Sequence, residues 1–202
     1  IDRFLAFAVA RYSDGVPGWS GSAGRLAPSI MPGDSFVARL TLPRAGPFIY
    51  HTHLNDLAQL TSGLYGGMVV LEPGERYDPA VDHLFVAGWD GPGEPPHLLV
   101  NGDSLPAPLT IAARATHRFR FVNIGPGGRV RFAILRDSTP VTWRRLAKDG
   151  ADLSPALAVE GPSEYVLDVG QTFDARVRLP PGSYRLVARL LGLPLAYDRA
   201  LL

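Results

Sequence analysis

The segment GPFIYHTHLNDLAQLTSGLYGGMVVLEPGE, residues 46–75, carries two histidines between two apolar runs. His51 and His53 are two of the five histidines in the chain, and only Thr52 separates them. Successive side chains of a β-strand point to opposite faces, so a strand over FIYHTH (48–53) directs both imidazoles to one face, about 6.6 Å apart. Neutral imidazole binds copper, zinc, iron and nickel, and this separation suits two adjacent metals better than one shared metal. A strand histidine can equally be half-buried and hydrogen-bonded without a metal, so the pair alone leaves both interpretations open.

The pattern of the whole chain predicts an all-β fold. Its 22 glycines and 19 prolines are spread along the sequence, as expected of many short strands joined by turns. A helical turn is predicted only for LNDLAQLTSGL (54–64), with Gly63 as its end. The alternating segments HRFRFVNI and TFDARVRL are typical of half-buried strands in an antiparallel sandwich, which favours a Greek-key architecture. The predicted strands are FLAFAVARY (4–12), SFVARLTL (35–42), FIYHTH (48–53), GGMVVLEP (66–73), HLFVAGW (83–89), HLLVNG (97–102), LTIAA (109–113), HRFRFVNI (117–124), RVRFAIL (129–135), VTWRRLA (141–147), EYVLDV (164–169), TFDARVRL (172–179) and YRLVARL (184–190).

Composition excludes several classes of function. Twenty basic and nineteen acidic residues give a formal charge of +1 without a long basic stripe, which argues against nucleic acid or an anionic membrane as partner. No apolar run reaches the length of a membrane span. The chain has no cysteine, which removes disulfides, thiolate catalysis and cysteine-ligated metals.

A weak internal repeat indicates two related units. MPGDSFVARLTLPRAGPFIY and VGQTFDARVRLPPGSYRLVA share the order glycine, polar residue, strand, proline, glycine and aromatic strand. We therefore predict tandem β-sandwiches, the first one incomplete, joined by the turn-rich GERYDPAVD (74–82). Because the chain opens in a strand-like segment with no initiator methionine or leader, we expect it to be a piece of a longer protein.

The histidine segment closely resembles the second histidine motif of the multicopper oxidases, laccase-like enzymes built from cupredoxin domains. In that family a glycine-aromatic strand delivers H-x-H, a loop follows, and GLYG with an apolar strand ends the domain. YSDGVPGWSGSAGRLAPSIMPGDSFVARLTLPRAG resembles the stretch before this motif. PHLLVNGDSLPAPLTIAARATHRFRFVNIGPGG and VTWRRLAKDGADLSP resemble the following domain. The resemblance implies that residues 1–75 are the C-terminal portion of one cupredoxin domain and residues 76–202 a second one without a copper site.

The resemblance also implies a cofactor and a reaction. Such oxidases take electrons singly at a type 1 copper and reduce dioxygen to water at a trinuclear cluster. The positions of His51 and His53 each ligate one copper of the type 3 pair. The implied partners are the remaining cupredoxin domains of the same parent or an oligomer partner, together with dioxygen and a reducing substrate. Members of this family work outside the cytoplasm, so the resemblance implies a periplasmic or secreted location.

Departures from the family pattern limit what this chain can do alone. The cluster needs four motifs of the H-x-H type, and this sequence has one. Counting back from Asp14, Arg3 and Leu5 stand where the first motif has histidines, and arginine cannot ligate copper. The type 1 site needs a cysteine, which is absent. We therefore expect a copper-binding segment that is not active as this chain alone.

Two alternatives remain open from the sequence. The losses at Arg3 and Leu5 fit a metal-free, plastocyanin-like structural or binding module with a relic H-x-H. A cupin-like iron oxygenase would use Asp56, three residues after His53, as its carboxylate ligand, although such motifs favour a glutamate one or two positions later. The remaining histidines, at 83, 97 and 117, do not pair at metal spacing, and we expect them to be surface or strand-end residues.

Overall fold

The computed structural model describes residues 4–5, 21–22, 25–26, 30–35, 42, 44–52, 55–91 and 97–202. Within these residues β-strands dominate, as the sequence predicts, and the helix α1 (Asp56–Thr61) falls inside the predicted helical turn. In chain order the strands are β1 (Phe4–Leu5), β2 (Gly21–Ser22), β3 (Arg25–Leu26), β4 (Gly46–His51), β5 (Tyr65–Val70), β6 (Asp82–Trp89), β7 (Leu98–Val100), β8 (His117–Asn123), β9 (Val130–Arg136), β10 (Thr139–Pro140), β11 (Thr142–Lys148), β12 (Ala151–Asp152), β13 (Glu160–Pro162), β14 (Glu164–Leu167), β15 (Thr172–Val177), β16 (Tyr184–Leu190) and β17 (Ala196–Leu201).

Two sheets from the second part of the chain form a sandwich. One sheet has the order β12-β11-β15-β8-β6-β7, with β13 also paired to β11. The other has the order β10-β9-β16-β17, with β14 also paired to β9. Their facing side chains build one aromatic-rich core, in which Phe121 contacts Phe132 across the sandwich and Trp143 beside it. The all-β sandwich predicted from the sequence is confirmed.

Some of the strand predictions differ from the structure. The predicted strand at 109–113 is wrong: only a bridge from Leu109 to Leu201 forms, because the chain turns after Ile111, where the Ala115 N–H donates to the Ala112 carbonyl at 3.2 Å. The last strand, β17, was not predicted. The pair β6 and β8 is parallel, whereas the alternation suggested antiparallel neighbours throughout. The predicted strands at 4–12 and 35–42 lie mostly outside the described residues.

A third layer covers the outer face of the larger sheet. It consists of the antiparallel sheet β1-β4-β5 and the helix α1. Ile49 and Leu60 from this layer pack with Val86, Val122 and Ile124 of the larger sheet in a second hydrophobic cluster. The histidine-bearing strand β4 is therefore held against the second part of the chain by buried apolar contacts.

This third layer buries polar residues that the sequence pattern assigns to solvent. Asp174 on β15 and Arg120 on β8 lie on the outer face, yet their side chains are 0% and 4% exposed. Arg120 Nη1 donates to Asp174 at 2.9 Å and Arg118 Nε donates to the same oxygen, Oδ2, at 2.8 Å. Arg120 also pairs with Asp82, with Nη2 2.6 Å from Oδ2. The expectation that these strands are half-buried is wrong, because the sheet that carries His51 covers the face predicted to meet water.

Glycines allow the layers to approach closely. A Cβ on Gly46, the first residue of β4, would lie 2.8 Å from the Gly150 Cα, and one on Gly67 would lie 2.8 Å from Leu84 and Val86 side chains. Arg44 reinforces the first contact by donating through Nε to the Gly150 carbonyl at 2.7 Å. The sequence KDGADL (148–153) predicts a turn with Gly150 at positive φ, and Gly150 has φ of +70°. This turn is the place where the start of β4 contacts the second part of the chain.

Candidate metal centre

The backbone of β4 carries His51 to the end of the strand. Antiparallel pairing places His51 opposite Tyr65 and Ile49 opposite Gly67 on β5. On the other side, Leu5 of β1 lies opposite Ile49. Leu5 is one of the two positions where the resemblance expects a histidine of the first motif, so this backbone position lies on the strand beside β4.

The imidazole of His51 is buried and has a defined orientation. It is 5% exposed, and its Nδ1 lies 2.6 Å from the carbonyl oxygen of Thr52. A carbonyl can only accept a hydrogen bond, so Nδ1 carries the ring proton. In a neutral imidazole the lone pair then resides on Nε2, the nitrogen available to a metal. Metal-binding histidines usually donate their second ring N–H to such an acceptor, and this ring therefore fits the donor chemistry of a copper ligand.

Thr52 follows the strand and is buried as well. Its N–H donates to the Leu64 carbonyl at 3.1 Å, which extends the pairing of β4 and β5 by one residue. Its hydroxyl donates to Gln59 Oε1 on α1. Asn55, which precedes α1, has a left-handed conformation with φ of 52°, so the chain turns sharply before the helix begins. These contacts connect strand, loop and helix around the histidine motif.

The other residues predicted for a metal site lie outside this description. His53 is not among the described residues, so the prediction that both imidazoles share one face stays a prediction. The strand predicted over 48–53 ends at His51 in the structure. Asp56, the ligand of the cupin-like alternative, starts α1, and its side chain is outside the described set.

His83 and His117 lie at strand ends, as one part of the expectation has it, but they are interior residues, so the other part, a surface position, is wrong for both. They open the neighbouring strands β6 and β8, and both point into the sandwich core. His117 Nε2 lies 2.8 Å from the Ala112 carbonyl, which makes it the protonated nitrogen. His117 Nδ1 therefore accepts from His83 Nε2 at 3.1 Å. This pair consists of neutral imidazoles that bond to each other and to the backbone, which explains it without a metal.

We expect acid to destabilise the fold through His83. Burial lowers the pKa of His83 from 6.5 to about 4, helped by the nearby His117 and opposed by Asp82. Because the folded state resists protonation more than the unfolded state does, its stability is complete above about pH 6.5 and falls as the pH decreases toward 4, by about 3 kcal/mol in all. The free energy of unfolding, measured in urea across this range, checks the expectation. His83→Gln keeps a donor for His117 but does not titrate, so its stability should depend less steeply on pH; a slope equal to that of the wild type would contradict this origin.

His97 is exposed and pairs with Asp90, with Nδ1 2.6 Å from the carboxylate Oδ2. That hydrogen bond and the one from the His97 backbone lower the pKa of Asp90. Within the described residues, no three side chains of His, Cys, Asp or Glu come together as a metal site requires. His51 is thus the metal-ligand candidate among the described residues.

Comparison with known proteins supports the family resemblance. A model of the multicopper oxidase family matches residues 8–75, the stretch that contains the H-x-H motif. The predicted resemblance to multicopper oxidases is confirmed. L-ascorbate oxidase from Cucumis sativus is 30% identical over 109 residues, which is 44% of this chain and 18% of that protein.

Solved structures show the same fold. The chain superimposes on a multicopper oxidase crystal structure with a TM-score of 0.73 and 24% identity, over 98% of this chain and 69% of the other. A variant of the McoA multicopper oxidase from the hyperthermophile Aquifex aeolicus gives a TM-score of 0.70 and 17% identity, over 98% of this chain and 49% of that one. The chain thus spans 18% of the length of the curated relative, L-ascorbate oxidase, and 69% and 49% of the chains of these two structures. The part of the chain that is described contains no helix with the length and hydrophobicity needed to cross a membrane.

Sequence reasoning missed the residues that surround His51. In the motif, Thr52 is the residue that separates the two histidines. Nothing in the sequence shows that its carbonyl faces the His51 ring. Gln59 lies seven positions from Thr52, and because one is in α1 and the other follows β4, no single helix or strand periodicity relates them. Their contact depends on how the loop before α1 turns.

Proposed function

We propose that this chain is a copper-binding part of a multicopper oxidase and that His51 and His53 each ligate one copper of a type 3 pair. In this proposal residues 1–75 are the C-terminal portion of a cupredoxin domain, and residues 76–202 are a second cupredoxin-like domain without a copper site. The observation that carries the proposal is the 2.6 Å contact from His51 Nδ1 to the Thr52 carbonyl, because it leaves Nε2 as the metal-binding nitrogen.

The residues of this chain bind and orient rather than transfer protons. His51 presents a neutral nitrogen donor, and Thr52 holds the ring by accepting its only proton. Burial of the His51 side chain limits its motion and the access of water to its ring. When bound, a coupled copper pair would supply two of the four electrons that the reduction of dioxygen to water consumes, and the other coppers of the complete enzyme would supply the rest. His53 would hold the second metal of the pair.

The remaining ligands come from outside this set. Neither a cysteine for a type 1 copper nor a second H-x-H occurs in the sequence. We propose that they are supplied by other cupredoxin domains of the same parent or by an oligomer partner, and that the complete enzyme oxidises a reducing substrate in the periplasm or after secretion.

Substitution of the two histidines tests the proposal. In the intact parent protein, loaded with copper, we expect His51→Ala combined with His53→Ala to abolish the near-ultraviolet absorbance of the coupled pair and to lower the copper content. His97→Ala is the matched control, because His97 is an exposed histidine bonded to Asp90, and it should keep both signals.

Two results would contradict this function. A double variant that retains the absorbance and the copper content shows that the histidines are not ligands. A wild-type protein that takes up no copper favours the metal-free plastocyanin-like module suggested by Arg3 and Leu5. Iron uptake with no copper uptake would instead favour the cupin-like oxygenase.

A further inference from the structure

We propose that Gln59 is a positioning residue for His51, because it holds Thr52 and thereby fixes which ring nitrogen His51 presents to a metal. The expected effect on copper binding rests on the proposed function. The expected effect on the tautomer of the His51 ring does not.

A closed ring of hydrogen bonds joins Gln59, Thr52 and Leu64. The Thr52 N–H donates to the Leu64 carbonyl at 3.1 Å, and the Leu64 N–H donates to the Gln59 carbonyl at 3.0 Å. The Thr52 hydroxyl completes the ring by donating to Gln59 Oε1. Gln59 therefore contributes both its backbone and its side chain, and it links the helix to the residue that follows β4.

This ring acts on His51 through the carbonyl of Thr52. Threonine is branched at Cβ, so few of its χ1 rotamers are compatible with a given backbone conformation. With its N–H and its hydroxyl both held, Thr52 has little freedom to rotate its carbonyl away from the His51 ring. The carbonyl stays 2.6 Å from Nδ1 and keeps the proton there. Loss of the Gln59 side chain removes this restraint on the hydroxyl and, with it, on the orientation of the Thr52 carbonyl.

The geometry allows a substitution that leaves the fold intact. Gln59 is only partly buried, and leucine and glutamine have similar helix propensities, so Gln59→Leu removes the acceptor without disturbing α1. Gln59→Glu retains an oxygen acceptor at the same reach. Ser62→Ala is a matched control, because the Ser62 hydroxyl donates to Ala58 within the same turn at 2.7 Å.

The first measurement needs no metal. Nitrogen NMR of the imidazoles, at a pH well above their pKa, distinguishes the two tautomers of His51 in the metal-free protein. We expect the wild type, Gln59→Glu and Ser62→Ala to hold the proton on Nδ1. We expect Gln59→Leu to populate the tautomer with the proton on Nε2 as well.

The second measurement uses the copper-loaded protein. Loss of a hydrogen-bond partner of a metal-binding histidine typically weakens metal affinity by about 10–100-fold, and we expect the copper affinity of Gln59→Leu, measured in competition with a chelator, to fall by up to that amount. The electron paramagnetic resonance spectrum of partly reduced copper should change with it. Gln59→Glu should restore both the affinity and the spectrum.

The outcomes separate this inference from the proposed function. A His51 tautomer in Gln59→Leu that matches the wild type overturns the inference, whatever the copper affinity. If the tautomer shifts while His51→Ala retains full copper, the positioning of the ring is supported and the proposed function fails. Thr52→Val compared with Thr52→Ser tests the same link from the other side, because valine keeps the shape and loses the hydroxyl.

Discussion

Replacing Asp174 by asparagine is expected to lower the free energy of unfolding by about 3–5 kcal/mol. The substitution keeps the size of the side chain, so it creates no cavity. It removes the carboxylate whose Oδ2 accepts from both Arg118 and Arg120, and Arg120 is almost fully buried. A guanidinium left in the interior without one of its two carboxylates carries a desolvation cost that water cannot relieve.

The attraction of Asp174 to its arginines does not fully offset the free-energy cost of burying its carboxylate. Burial raises the pKa of Asp174, and the positive charges of Arg118 and Arg120 offset only part of the rise. Desolvation therefore outweighs attraction at this carboxylate. The expected loss in Asp174→Asn comes from leaving the arginines behind, not from losing a bond that is strong by itself.

Asp198 offers a matched control for this prediction. It pairs with Arg185 at 2.6 Å, but the two side chains are 39% and 44% exposed. Exposed pairs of this kind contribute about 0–1 kcal/mol, so Asp198→Asn should change stability little. Urea unfolding of both variants at neutral pH checks the difference. Equal losses of unfolding free energy in the two variants would show that water reaches the outer face of β8 and β15.

Gly46→Ala is expected to lower the free energy of unfolding by about 3–5 kcal/mol, because the substitution combines backbone strain with overpacking. Gly46 has φ of +136°, which an alanine rarely adopts. The added Cβ would lie 2.8 Å from the Gly150 Cα and 3.0 Å from its carbonyl oxygen. Both are backbone atoms, so the contact cannot be relieved by a rotamer change. The start of β4 would have to move away from the turn at Gly150.

Gly74→Ala separates strain from steric clash. Gly74 has φ of +90°, and a Cβ there meets no atom within 4 Å. Gly74→Ala should therefore lower the free energy of unfolding by only about 1 kcal/mol, through backbone strain alone. Thermal and urea unfolding of the two variants give the steric part as the difference. If Gly46→Ala lowers the free energy of unfolding no more than Gly74→Ala does, the close approach of β4 to Gly150 is not a feature of the folded protein.

Local features of the fold could be predicted from the sequence because they depend on residues near one another in the chain. The turn at Gly150, the short helix ending before Gly63 and the alternation of HRFRFVNI each follow from a few neighbouring side chains. The strand at 109–113 could not be predicted correctly, because its status depended on whether it could pair with β17, about ninety residues away.

The same division applies to the candidate site. The H-x-H spacing in YHTH singles out His51 and His53 as ligand candidates, and the residues around them carry the family resemblance. The protonated nitrogen of His51 cannot be read from that spacing, since it depends on the direction of the Thr52 carbonyl. Nor can the contact from Thr52 to Gln59, which requires the loop between β4 and α1 to bring them together.

By itself the sequence determined an all-β chain, the positions of its turns and one histidine pair that resembles a copper motif. Only the tertiary structure decided that Asp174 and Arg120 are interior residues and that His83 and His117 form a buried pair. Alternation along a strand specifies that its two faces differ, but not what covers the polar face. Here the sheet that carries His51 covers it, through contacts between residues far apart in the chain, and a pattern of neighbouring residues cannot encode that arrangement.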